Sequence, residues 1–386
     1  MRGIRCARLA HRIVASERRT LPRVRALGIG LVGCGMIGQG HAYALRLVAE
    51  DGAIRPVAAA DRSVDAIAGA QRICPFERTY TDALAVISDP DVDAVVIVTP
   101  TTTHLEFVRA AVAARKPLLC EKPLATDYAT VREMCDLVSR SGLTAQVGFH
   151  SRFHPVVNEL RALVDGGELG RPMGYVYRDD QYGPTGDVVA GHSSWRSERA
   201  LAGGGALLEH SIHGADILSW IFGPARCVYA RSRNVFGYDV EDAAAATVEH
   251  SSGVIGTVMS IFNGVRGREE RRLEVFFEGG AVELTTDFLV GAREDSLLVQ
   301  RPDTDPVHYD MVALRDRSFE AAGIERRDFM VYLYPVTRAF VDAVRDGRAA
   351  APGLEDARRA HAFVEAAYRS AASGQPVELT GDLAVA

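Results

Sequence analysis

The chain has 386 residues, 47% of them hydrophobic and 24% charged, and a net charge of −6. At roughly 150 residues per domain this makes two or three domains, each long enough to bury a core. No apolar run approaches the roughly 18 residues of a membrane span, and the composition fits neither a disordered chain nor a channel.

In chain order, residues 1–26 come first and carry eight arginines against the single Glu17, so the remaining chain holds about −13. A basic leader on an acidic body argues against a nucleic-acid binder. The leader is Arg-rich and acid-poor, as organelle transit peptides are, but has no apolar core of a secretory signal. We read it as a basic, disordered extension or the product of an upstream start codon, outside the fold.

From Leu27 onward, short apolar runs alternate with helical patterns: Gly28 to Val32, Arg55 to Ala60, Ala94 to Val98, Pro117 to Cys120 and Thr144 to Phe149. Between them Ala42 to Ala49, Leu105 to Ala114 and Thr130 to Ser139 place apolar residues three or four apart. This is the signature of βαβ units, and it predicts a doubly wound α/β domain with a parallel sheet over residues 27–149.

After Phe149 a helix is expected from Pro155 to about Val164. Strands follow at Met173 to Arg178, Val228 to Arg233, Ala243 to His250, Val254 to Ile261, Leu273 to Phe277 and Ala281 to Thr285. Ser251-Ser252-Gly253 and Glu278-Gly279-Gly280 are hairpin signals, so residues 150–386 read as an α+β domain with a large, mainly antiparallel open sheet and helices on one face. A last helix is expected over Leu354 to Ser373, ending at Gly374.

Gly33-Cys34-Gly35-Met36-Ile37-Gly38 is a G-x-G-x-x-G placed between a strand and a helix. There glycines permit a tight turn and close backbone approach, and the helix N-terminus offers N–H groups to a pyrophosphate. Asp61 ends the second strand, where a carboxylate accepts hydrogen bonds from the adenosine ribose. It would repel a 2′-phosphate, which favours NAD over NADP, although Arg62 beside it keeps NADP open. Thr99-Pro100 and His104 follow the next strand, at the end where ligands of such sheets bind.

Of 44 basic residues only Lys116 and Lys122 are lysines. Lysine can release a proton in a pocket and arginine cannot, so a lysine here stands out. Lys122 lies in Cys120-Glu121-Lys122-Pro123 at a strand end; Lys116 reads as a surface residue. Further on, Glu209, His213 and Asp216 fall at spacings of four and three along an expected helix from Gly205 to Asp216, which puts them near one face. A carboxylate and an imidazole so placed suit acid–base work on a hydroxyl. No third or fourth ligand accompanies them, so no metal is expected. Six cysteines, at 6, 34, 74, 120, 135 and 227, make no C-x-x-C pair and read as reduced thiols of a cytoplasmic protein.

Taken together, the glycine loop, Thr99-Pro100 with His104, Glu121-Lys122-Pro123, Val147-Gly148-Phe149 with Arg152-Phe153, and Gly203-Gly204-Gly205 with His213 and Asp216 resemble the glucose–fructose oxidoreductase, inositol dehydrogenase and MocA family. The resemblance covers about residues 27 to 380. It implies an N-terminal Rossmann domain, a C-terminal α+β domain that binds substrate and pairs in a homodimer or homotetramer, and a dehydrogenase acting on a secondary alcohol of a sugar, cyclitol or glycoside. It implies that Gly33, Gly35, Met36, Ile37, Gly38, Asp61, Arg62, Thr99, Pro100, His104, Glu121 and Lys122 hold the dinucleotide. Lys122, Glu209 and His213 would do the chemistry, with His150, Arg152, His192, Ser194, Trp195 and Arg196 also lining the substrate pocket. Two departures bear on the substrate: Glu209 stands where the family usually has Asp, and His150-Ser151 precede Arg152. Relatives that cleave glycosides through transient oxidation, and relatives that only sense the dinucleotide, are the alternative classes.

Overall fold

Five of the predicted apolar runs become strands of one parallel sheet. In the computed structural model, residues 25–183, 194–265, 269–286, 295–310, 313, 316 and 333–385 are described. The strands are β1 (Leu27–Val32), β2 (Ile54–Ala60), β3 (Arg78–Tyr80), β4 (Ala94–Ile97), β5 (Leu118–Cys120) and β6 (Ala145–Val147), in the spatial order β3-β2-β1-β4-β5-β6. That order is the doubly wound arrangement of dinucleotide-binding sheets. All four residues of β4 are fully buried, as expected of a central parallel strand covered on both faces.

The sequence pattern misses β3, and the reason is physical. It is a three-residue edge strand with no buried residue, tied down by Arg78 donating to Asp89 at 2.8 Å and Asp91 at 2.8 Å. Helices α1 (Met36–Glu50), α2 (Val64–Ile73), α3 (Ala83–Ser88), α4 (His104–Ala113) and α5 (Tyr128–Ser141) join the strands. Ser63, Asp82 and Asp127 cap α2, α3 and α5 by accepting backbone N–H groups.

Beyond α6 (Pro155–Gly166) lies a nine-stranded sheet. Its strands are β7 (Pro172–Gln181), β8 (Ala225–Arg233), β9 (Ala243–His250), β10 (Ile255–Phe262), β11 (Glu270–Phe277), β12 (Gly280–Thr286), β13 (Ser296–Gln300), β14 (Val307–Tyr309) and β15 (Val377–Glu378). The order is β14-β13-β12-β11-β7-β10-β9-β8-β15. The sheet is mainly antiparallel, as expected, with one parallel pair: β7 and β10, Val176 opposite Thr257. They are joined through a long connection with helices of its own, not a hairpin, so direction is free to repeat.

One face of this sheet is buried under helices, with Tyr175, Tyr177, Val258 and Val275 pointing inward. The other shows exposed Met173, Val176, Ile255, Met259 and Phe276. The helix Leu354–Ser373, at the bounds the pattern predicts, packs on β8 and on α5, so it bridges both sheets. The helix Leu333–Asp346 escapes the sequence reading; it lies along α1, and its Val336, Phe340 and Val341 share a core with Ile29, Leu31 and Leu45.

Candidate active site

At the end of β1 the chain turns sharply into α1. Gly33 has φ +100°, a region glycine enters without steric cost, and a Cβ there would collide with the Val98 carbonyl oxygen. A Cβ on Gly38 would collide with the Gly33 carbonyl oxygen, so the helix sits hard against the turn. Gly35 is different. It is exposed, its φ of −65° suits any residue, and a Cβ there meets nothing within 4 Å. The first turn of α1 has no side-chain cap and no acidic residue. An uncapped helix N-terminus behind an open glycine fits an anionic group such as a pyrophosphate.

Asp61 borders this turn, accepting the Cys34 N–H at 2.8 Å and the Ser63 N–H at 2.9 Å. Arg62 is exposed, and Met36 and Ile37 are half-buried against Ala44 and Leu333. Thr99 and Pro100 line the end of β4. His104, 1% exposed, is closed between two carbonyls, Thr99 at 2.9 Å and Leu124 at 3.2 Å, and burial lowers its pKa. It ties the Thr99 turn to the loop after Lys122. Glu121 also turns inward: His41 Nε2 donates to its Oε1 at 2.9 Å, and a Cβ on Gly148 would strike its carboxylate.

Lys122 crosses from the first sheet to the second unit. Its Nζ donates to the Glu209 carbonyl at 2.9 Å and lies 4.0 Å from Glu209 Oε1. Burial pushes its pKa below the usual lysine range, with Glu209 and Glu121 pulling it back up. Lys116, by contrast, donates to the Asp89 carbonyl at 2.6 Å, on another part of the sheet.

The expected helix from Gly205 to Asp216 is not one helix. Ala206–His210 is π-helical, Ser211 breaks it, and α8 (Ile212–Phe222) follows. The wider turn changes the facing that a spacing of 3.6 predicts. Glu209 and His213 stay on the side of Lys122, but Asp216 leaves: fully buried, it takes a bidentate pair from Arg152 at 2.6 and 2.7 Å. Arg152 also meets Asp356 at 3.0 Å, so its guanidinium is engaged in the interior. His213 is 3% exposed, with its ring 4.3 Å from that of His150 and 5.9 Å from Phe149. Burial pushes its pKa well below the usual histidine value, and His150, Lys122 and Arg271 add to the effect. Its imidazole is therefore neutral at neutral pH.

Arg196 Nε donates to Glu209 Oε1 at 2.8 Å and its guanidinium lies 4.7 Å over the Trp195 ring. This fastens the segment with Trp195 to the cluster. His192 and the side chain of Ser194 lie outside the described residues.

Two supports have no local signal in the sequence. Glu241, 2% exposed, accepts the N–H groups of Gly205 and Leu207 at 2.9 and 3.1 Å and the Tyr368 hydroxyl at 2.8 Å. It satisfies donors at the start of the π segment, while Gly204 and Gly205 leave no room for a Cβ against Tyr368 and Glu241. Beneath the segment, buried Asp179 lies 2.9 Å from His210 Nε2 and 3.0 Å from Arg271 Nε, and accepts from Ser211 at 2.9 Å and Tyr177 at 3.1 Å. Burial alone would raise the Asp179 carboxyl, but Arg271 and His210 hold it far below the usual range. These residues come from β7, β11, the π segment, the loop before β9 and the helix Leu354–Ser373, so only the tertiary packing brings them together. Among the described residues no His, Cys, Asp and Glu cluster is arranged to hold a metal ion, and no helix is long and apolar enough to cross a membrane.

Residues 27–149 match the model of an oxidoreductase family with an NAD-binding Rossmann fold, and residues 157–283 match the GFO/IDH/MocA C-terminal domain. Inositol 2-dehydrogenase 2 of Saccharopolyspora erythraea is 30% identical over 70% of this chain and 77% of its own. D-apiose dehydrogenase of Paraburkholderia graminis is 26% identical over 96% of this chain and 93% of its own. In fold, the chain is similar to a levoglucosan dehydrogenase solved in complex with NADH, with a TM-score of 0.80 at 23% identity over 92% of this chain and 99% of that one.

Proposed function

Because the chain belongs to the GFO/IDH/MocA family of NAD-binding oxidoreductases and is an NAD-dependent dehydrogenase, we propose that it interconverts a secondary alcohol and a ketone on a sugar, cyclitol or glycoside. What supports this reading is that Lys122 donates to the Glu209 carbonyl, 4.0 Å from the Glu209 carboxylate, and that buried His213 feels the charge of Lys122. Neutral His213 takes the hydroxyl proton. Lys122, held protonated between Glu209 and Glu121, donates a hydrogen bond to the substrate oxygen and stabilises the charge that develops there. Glu209, oriented by Arg196, accepts hydrogen bonds from neighbouring substrate hydroxyls, and His150 and Trp195 supply the walls.

Gly33, Gly35, Gly38 and the first turn of α1 would hold the pyrophosphate, Asp61 the ribose, and Thr99, Pro100 and Lys122 the nicotinamide side. When bound, the dinucleotide supplies the hydride acceptor. The Asp61 carboxylate disfavours a 2′-phosphate, so NAD is preferred over NADP. The names of the relatives support a polyhydroxylated substrate: inositol, apiose and levoglucosan dehydrogenases all stand among them.

The reading is tested by following NADH formation with myo-inositol, apiose, levoglucosan, hexoses and uronic acids, with NAD and NADP in parallel. NADH rising in step with a ketone product supports it. Product without net NADH, or no turnover on any of them, sinks it. At the glycine turn, Gly35→Ala is expected to leave the melting temperature unchanged and weaken NADH binding about tenfold, read by cofactor fluorescence, because the methyl group enters only open space. We also assign the exposed apolar face of the nine-stranded sheet, with Val176, Ile255, Met259 and Phe276, to a contact between copies of this chain. Sedimentation velocity should give a dimer or tetramer, and a monomer at micromolar concentration would exclude that assignment.

A further inference from the structure

Oxidising a secondary alcohol leaves one proton to dispose of in every turnover. His213, which receives it in the reading above, is 3% exposed, and its Nδ1 has no hydrogen-bond partner. On one side its ring meets Phe149 edge-on, with centroids 5.9 Å apart. On the other it meets His150, at 4.3 Å and a tilt of 59°. His150 is half-buried where His213 is 3% exposed, so of the two imidazoles it is the one nearer to solvent. The two rings touch with no hydrogen bond between them, so a proton passes from one to the other by way of one bridging water or a small rotation of a ring. Lys122 is less suited to carry the proton away, since its role on the substrate oxygen requires it to stay protonated throughout.

The pairing of the two rings is built in. His150 opens the 3-10 turn His150–Phe153, whose Arg152 is locked to Asp216, three residues after His213 on α8. The same ion pair therefore fixes both imidazoles.

We propose that His150 is the proton carrier that takes the proton from His213 and delivers it to solvent. This rests on the dehydrogenase reading. The balance is simple: the substrate O–H bond breaks as an N–H bond forms on His213, that bond breaks as one forms on His150, and His150 releases the proton to solvent. Neither imidazole gains or loses electrons, and both end the turnover neutral. The titratable groups that face His150 are His213, in ring contact, and Lys122, Arg271, His154 and His41. Burial first, and then Lys122 and Arg271, lower its pKa well below the usual value, so it starts empty and lets go of its proton readily.

Two variants test this. His150→Phe keeps a ring in the packing and removes both nitrogens; His150→Gln keeps a polar group. The first readout needs neither substrate nor dinucleotide: in ring-proton NMR titrations the His213 midpoint should move up in His150→Phe, because a neighbour that can become cationic is gone. The second uses the polyol that wild type oxidises fastest. Both variants should lose about 100-fold in kcat at neutral pH in weak buffer, with turnover restored by added imidazole. An unmoved His213 midpoint, an unchanged kcat, or a loss that imidazole does not restore overturns the relay. A wild type inert on every polyol overturns the dehydrogenase reading, and the NMR midpoint then still decides whether the two rings share a proton.

Discussion

Lys122→Met is expected to lose about 100- to 10,000-fold in kcat while the protein keeps its fold, because it removes a proton donor in general acid–base chemistry and little else. Methionine matches the length of the lysine stem. The hydrogen bond lost is the one to the Glu209 carbonyl, and the Glu209 carboxylate keeps Arg196 at 2.8 Å. Arginine at 122 should not rescue activity, since the larger, planar guanidinium does not place a donor where the compact ammonium sits.

The pH profile supplies the sign. Activity needs His213 neutral and Lys122 protonated, and burial lowers the pKa of both. The acid limb of kcat/KM therefore lies below pH 6.5, and the alkaline limb begins below pH 10.5. In Lys122→Met the alkaline limb should vanish and the acid limb remain. Steady-state NADH formation from pH 5 to 10 reads both limbs. A variant within threefold of wild type at pH 7 would remove Lys122 from the chemistry.

Arg152→Ala is the substitution with the largest expected effect on stability, a loss of about 3–5 kcal/mol. The Asp216 side chain is fully buried and Arg152 is 9% exposed, so removing the guanidinium strands a carboxylate away from water. Asp356 loses its partner at 3.0 Å, and the Trp220 ring loses a cation 5.3 Å from its centroid. Adding Asp216→Asn should recover part of the loss, since the amide has no charge to strand. Urea unfolding of the two single variants and the double variant measures this. Equal midpoints for wild type and Arg152→Ala would show that the pair adds nothing. Function should suffer too: the pair holds the turn of His150 to the helix of His213, so kcat falls even where the variant is folded.

The parallel sheet is legible in the sequence because each central strand is buried on both faces and so must be apolar throughout, and because glycine at 33 and 38 answers to a steric demand inside one turn. The same holds for the helix Leu354–Ser373, closed by Gly374 in the left-handed region. Elements with little to bury leave no such trace, as β3 illustrates. The lysine shortage singled out Lys122, and the tertiary structure sets it against Glu209, 87 residues away.

By itself, then, the sequence determined what local sterics and burial periodicity encode: two sheets, the glycine turn, the family, and the residue types available for acid–base chemistry. The tertiary structure decided how those residues are used. A regular helix predicted Asp216 on the same face as Glu209 and His213; the π-helical turn shifts Glu209 relative to the helix that follows, and Arg152 takes Asp216 into the interior. The partners that impose this come from elsewhere in the chain: Glu241 meets Gly205 from 36 residues away, and Asp179 meets Ser211 from 32. Contacts at such separations carry no periodicity, because they are set by which strands pair and not by the residues next in line.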